Sequence, residues 1–201
     1  MITERLLNSF RTWSSEKIPL VMASVFSTSG STYSKAGANM LMTGDGRFSG
    51  MLSGGCLEGD LVEHAKAVVN SRCPKKIIYD LKDIDDGLWN LGVGCDGKME
   101  VLLVPIFYES KYEPFKSILE ILNSNSIYEV AIVIESDIEN LLVGSTIVFD
   151  GTKIIFSNFD SKISADMTSK LNSLYFNNQS LIYDYSNLNG SAKIFFYILE
   201  P

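Results

Sequence analysis

Hydrophobic positions along the chain switch between helical spacing and strand-like runs. Leu6, Leu7, Phe10 and Trp13 fall on one helical face, which predicts a helix over residues 1–16 that ends before Pro19. "PLVMASVFST" then reads as a buried strand. "GANMLMTGDGRFSGML" reads as a hairpin turning at Gly44-Asp45-Gly46. In "LEGDLVEHAKAVVNS" the apolar residues Leu57, Leu61, Ala65, Val68 and Val69 share a face, the mark of an amphipathic helix. Two further strands, "KKIIYDL" and "KMEVLLVPIF", flank a long Gly- and Asp-rich loop, "KDIDDGLWNLGVGCDG".

The same order then returns. "EPFKSILEILNSN" is a helix with Phe115, Ile118, Leu119 and Leu122 on its apolar side. "IYEVAIVIES" matches the first strand, and "GSTIVFDGTKIIFS" matches the hairpin, with its turn at Asp150-Gly151. A helix in "DSKISADMTSKLNSLYFNN" follows, then "SLIYDYSN" and "KIFFYILEP". Ile78-Tyr79-Asp80 aligns by eye with Ile182-Tyr183-Asp184, and Pro105 with Pro201. We therefore expect an α/β fold of mixed sheets with flanking helices. It would be built as two similar halves, residues 1–107 and 110–201, from a degenerate internal duplication. The halves are expected to pack together; one continuous sheet with four helices is the alternative.

The repeat separates architecture from chemistry. A glycine needed only by the fold should recur in both halves. "SGGCLEGD" does not: its counterpart is "SNFDSKISAD", without glycine or cysteine. The loop around Cys95 shrinks to "SNLNGSA". The first half is thus the candidate for carrying a site.

Composition narrows the options. A formal net charge of -7 argues against a general nucleic-acid surface. Three cysteines, an odd number, do not suggest a disulfide framework. The start "MITERLLNSFRTWSSEKIP" lacks an apolar leader region, and the longest apolar runs are too short to span a membrane. These features read as a cytoplasmic chain with reduced thiols.

Three elements carry candidate chemistry. In the first, Ser53, Gly54, Gly55, Cys56 and Glu58 lie at the entry to a predicted helix. Glycines there let the backbone approach a ligand closely, and unpaired helix-start amides favour anions. Cys56 is a reactive thiol, a ligand or a small buried residue. Glu58 and Asp60 raise a neighbouring thiol pKa but suit a helix start. The second element, "LGVGCDGKME", surrounds Cys95 with Gly92, Gly94 and Gly97. The third, "STSGSTYSKAGAN", offers Gly30, Ser31, Lys35 and Gly37 as backbone access, hydroxyl and charge, without a P-loop order. One histidine and no C-x-x-C spacing argue against a structural zinc site. His64 stands one turn after Asp60 and reads as its surface partner, and Cys73 reads as structural. Neither a Ser-His-Asp set nor a dinucleotide fingerprint is legible.

Together and in this order, "VFSTSGSTYSKAGANMLM", "GDGRFSG", "LSGGCLEGDLVEHA" and "LGVGCDGKMEVLLVPI" resemble the xanthine dehydrogenase accessory factor family (XdhC/CoxI) over about residues 18–106. The resemblance implies an accessory factor rather than a catalyst. It implies one that binds molybdenum cofactor (molybdopterin), protects it and delivers it to a molybdenum hydroxylase such as xanthine dehydrogenase. It further implies contacts from Gly30, Ser31, Lys35, Gly37, Ser53, Gly54, Gly55, Cys56, Glu58, Gly94, Cys95 and Gly97, with Cys56 as the molybdenum contact. A cysteine desulfurase as a further partner and a homodimer follow from the same source. Three departures stand out. Tyr33, Ser34 and Lys35 replace the family's usual Pro and Arg, Asp96 replaces a glycine, and the chain stops at Pro201, where long members continue into a Rossmann domain. No NAD site is expected in this chain. Two other readings remain open: a thiol-dependent enzyme or redox protein using Cys56 and Cys95, and a protein-interaction module with a decayed pocket.

Overall fold

The structure is a computed structural model that describes residues 4–80, 97–122, 127–174 and 180–199. One compact unit runs Ile2–Tyr108, and the second takes up the chain at Glu109.

The first unit opens with α1, Glu4–Ser15, which buries Leu6, Phe10 and Trp13. Strands β1 (Leu20–Gly30), β2 (Asn39–Thr43) and β3 (Phe48–Ser49) form a meander. Helix α2 (Glu58–Ser71) then leads to β4 (Lys75–Asp80) and β5 (Gly97–Ile106). The sheet order is β3-β2-β1-β5-β4. The second unit repeats this with α3 (Phe115–Leu122), β6 (Tyr128–Ser136), β7 (Thr146–Phe149), β8 (Ile154–Ser157), α4 (Ser161–Leu174), β9 (Leu181–Asn187) and β10 (Gly190–Leu199), in the order β8-β7-β6-β10-β9.

The α/β class, the flanking helices and the two similar halves are as expected, but the sheets are not mixed. Every ladder among the described residues is antiparallel. The reason is topological. Helices α2 and α4 each join two strands that run the same way, yet those strands occupy opposite edges of the sheet. A parallel connection between non-neighbours leaves no parallel ladder.

Burial explains the apolar runs. Val21, Ala23 and Val25 of β1 face a core completed by Leu57, the N-cap of α2, and by Leu61, Ala65 and Val68 of α2. Leu20, Met22 and Phe26 on the other face are buried as well, so alternation is lost. The second unit does the same with Ala131 and Val133 against Ile163, Met167 and Leu171. At the first hairpin Arg47 donates to Asp45 and to Glu16 at the end of α1, 2.8 Å away, and its guanidinium lies 5.6 Å from the Trp13 ring centre.

The register shows how closely the units correspond. In β1 the pairing with β5 skips Phe26, and in β6 the pairing with β10 skips Ile134; each is the seventh residue of its strand. The bonds around each bulge repeat: Val25 N–H to Ala38 and Gly37 N–H to Val25 in one, Val133 N–H to Ser145 and Gly144 N–H to Val133 in the other. One detail of the sequence alignment is corrected. Tyr79 pairs with Met99 and Tyr185 pairs with Ala192, each partner the third residue of its strand. The counterpart of Tyr79 is therefore Tyr185 and not Tyr183. A slide of two residues preserves the inward–outward alternation of a strand, so the pattern alone does not detect it.

Candidate functional site

The site is built on the turn between β3 and α2. Gly50, Gly54 and Gly55 all have positive φ, at 96°, 76° and 114°. This is conformational space that side chains rarely enter. Glu58, only 2% exposed, organises the turn from within. One carboxylate oxygen accepts the N–H groups of Leu52 (2.8 Å) and Ser53 (2.9 Å). The other accepts the N–H of Gly55 (2.9 Å) and the Ser53 hydroxyl. Ser53 Oγ in turn accepts the N–H of Leu57 at 2.7 Å. Ser53 and Glu58 thus bond reciprocally across the glycine pair and close the turn just before α2, whose N-cap, Leu57, has no side-chain cap bond of its own. Burial pushes the Glu58 carboxyl up, but the bonds from Ser53 and Leu52 outweigh it and hold the group below the ordinary glutamate range.

Glu58 is therefore occupied in shaping the turn. The surfaces offered outward are different ones. Gly54 and Gly55 are exposed, and Cys56, a free thiol, is half-buried beside the α2 core. A side-chain carbon built on Gly55 would meet nothing within 4 Å.

The Gly-Ser loop after β1 folds onto this turn. Buried Ser34 donates to the Met51 carbonyl at 3.4 Å. The Tyr33 ring comes within 3.2 Å of where a Cβ on Gly54 would stand. Thr32 Oγ1 donates to the Ser34 carbonyl at 2.8 Å, which ties the loop internally. Gly30, Ser31 and Lys35 are exposed. The loop is closed at its base by Gly37, whose φ is 93°, and by Asn39, which donates to the Gly37 carbonyl and accepts from Ser24.

Two of the candidate glycines serve the fold first. Gly37 corresponds to Gly144 at the second bulge. Gly97 corresponds to Gly190, the first residue of β10. A Cβ on Gly97 would lie 2.5 Å from the Ser31 carbonyl oxygen, and one on Gly190 would lie 2.2 Å from the Asp137 side chain. At Gly97 the backbone leaving the central strand passes too closely for a side chain; at Gly190 the Asp137 carboxylate fills that place, and its φ of 141° also favours glycine. Gly54 and Gly55 have no such counterpart. Gly92, Gly94, Cys95 and Asp96 lie outside the described residues.

His64 sits 3.4 Å from Asp60, as its spacing implies. Less legible was that Asp60 also accepts a 2.6 Å bond from the Tyr79 hydroxyl, and that Lys75 approaches the other His64 nitrogen at 3.0 Å. Burial and the Asp60 bond push the Tyr79 phenol far above its ordinary pKa. Tyr185 and Asp166 make the same pairing in the second unit at 3.2 Å, so this is a helix-to-strand latch of the repeated fold. Cys73, read as structural, is exposed just beyond the end of α2 and takes no part in a core.

Residues 13–80 match the model of the XdhC and CoxI family. That stretch is similar to the XdhC and CoxI family. It contains both the Gly-Ser loop and the glycine-cysteine turn. The chain is 36% identical over 116 residues to a probable xanthine dehydrogenase subunit of Bacillus subtilis (strain 168), covering 58% of this chain and 35% of that protein. A crystal structure of a xanthine dehydrogenase from Bacillus halodurans superposes with a TM-score of 0.69 at 27% identity, covering 97% of this chain and 52% of that one. The chain thus spans about half of the solved relative, and the stretch that matches the family model lies in the first unit. No helix among the described residues is long and apolar enough to cross a membrane.

Proposed function

We propose that this chain is an accessory factor for a xanthine-dehydrogenase-type molybdenum hydroxylase, and that its first unit holds molybdenum cofactor as cargo for that enzyme. The observation that carries this reading is the meeting of two loops. The Gly-Ser loop, through Tyr33 and Ser34, is seated on the Gly50–Cys56 turn within a stretch of XdhC and CoxI sequence.

The residues present fit the cargo. The space over Gly55 admits a group that any side chain would obstruct. Helix-start amides suit the cofactor's phosphate, and exposed Lys35 adds a point charge next to Ser34, in the loop seated on the turn. A thiolate is a soft ligand, suited to a metal already held by a dithiolene. The neighbouring carboxylate that would oppose an anionic cargo, Glu58, is turned inward and bonded to backbone. Cys56 would hold the metal end, the loop would hold the pterin end, and neither role calls for turnover of a substrate. A cytoplasmic location, a homodimer and a cysteine desulfurase as sulfur source accompany this proposal.

The test is metal and pterin analysis of the protein purified from a host that makes the cofactor. Molybdenum and oxidised pterin should co-purify with the wild type, and Cys56→Ala should lose most of the molybdenum. If the wild type carries neither, the reading fails. Rapid alkylation of Cys56 with no bound pterin would favour a thiol enzyme instead.

A further inference from the structure

We infer that Tyr33 is the stacking platform of the site, the residue that selects a planar heteroaromatic ligand. This deepens the reading above and rests on it. Tyr33 is 63% exposed, unusual for a side chain whose ring is held against backbone. Its ring lies on Gly54, with two ring carbons 3.2 Å from the position a Cβ would take. A side chain at position 54, already strained by a φ of 76°, would press on the ring. The ring is not left to wander, because the residues on both sides are tied down: Ser34 donates to Met51, and Thr32 donates to the Ser34 carbonyl.

The ring thus stands beside Gly54 with most of its surface in solvent. Next to it is the open space over Gly55, and Cys56 follows. A flat ring system laid against the free side of Tyr33 would reach over Gly55 toward the thiol. An aliphatic or purely anionic ligand would gain nothing from that surface, whereas a fused heterocycle gains stacking.

The second unit argues that the fold does not need this aromatic. The corresponding loop, residues 138–143, reads "IENLLV" and has no aromatic residue, yet it is closed by the same bulge bonds at Val133 and Gly144.

The experiment is titration of the full chain with a fluorescent oxidised pterin, pterin-6-carboxylate, followed by quenching of its emission. Tyr33→Phe should bind within about twofold of wild type, since the ring is kept. Tyr33→Leu should weaken binding about tenfold or more and lose the quenching, in line with the measured weight of base–aromatic stacking. Thermal unfolding of each variant should match wild type, as the side chain is exposed. If wild type binds the probe and Tyr33→Leu binds it equally well, the stacking role is overturned while the cargo reading stands. If wild type carries molybdenum and pterin from the host but Tyr33→Phe loses them, the hydroxyl and not the ring is responsible, which also overturns it. If wild type binds neither the probe nor the cofactor, both readings fall.

Discussion

Glu58 illustrates how much a side chain's role depends on where it points. In the sequence it is an acid at a helix start, beside a cysteine. In the structure it is buried and accepts three backbone N–H groups and a hydroxyl, so that the glycine turn is wound around it. Its pKa is lowered in the folded state. A lowered carboxylate pKa contributes stability that is present above the unfolded value and lost as pH falls through the folded one. Glu58→Gln should therefore cost roughly 1.5–3 kcal/mol at neutral pH, since an amide cannot accept at all of these positions. Thermal unfolding of both proteins from pH 7 down to pH 3 should show the gap closing as wild-type Glu58 protonates. A gap independent of pH would mean that the carboxylate charge is not what holds the turn.

A second buried acid has the opposite sign. Glu129 is 3% exposed, and one of its carboxylate oxygens has no partner among the described residues. Burial pushes its carboxyl up to about 7. The stability it permits is complete below the ordinary glutamate range and is lost as pH rises through about 7.

Strand register explains what Glu129 replaces. It pairs with Phe149 and Ile198 as Val21 pairs with Met42 and Pro105, so the first unit holds valine at the same place in the repeat. Glu129→Val should raise stability by roughly 1–3 kcal/mol at pH 8, where wild type must ionise a buried group, and by little at pH 5. Chemical denaturation at the two pH values reads this directly; equal gains at both would remove the ionisation argument. The same registers account for what was and was not legible about the repeat. The order of elements could be read from apolar spacing alone. The "IYD" match, which helped suggest duplication, turned out to be two residues out of register. The bulges at Phe26 and Ile134 and the latches Tyr79–Asp60 and Tyr185–Asp166 are the better support, and each depends on contacts between distant segments.

The two units share one architecture but differ at one turn. The first overlaps the stretch that matches the XdhC and CoxI family model and has the turn around Cys56; the second repeats the fold with "SNFDSKIS" in place of that turn. On the accessory-factor reading, co-expression with a xanthine-dehydrogenase-type enzyme should raise that enzyme's molybdenum content and activity severalfold. Cys56→Ala co-expressed at the same level should not. Equal enhancement by both would place the essential function outside this turn. The sequence by its spacing determined the class of fold, the order of the elements, the repeat and the segment that departs from it, because local periodicity and glycine placement are properties of the chain. Only the folded structure decided that the sheets are antiparallel, that Glu58 faces inward, that Gly37 and Gly97 belong to the architecture, and that Tyr33 lies on Gly54. Each of these depends on which distant segments pair and how closely their backbones pass, and a linear pattern does not carry that information.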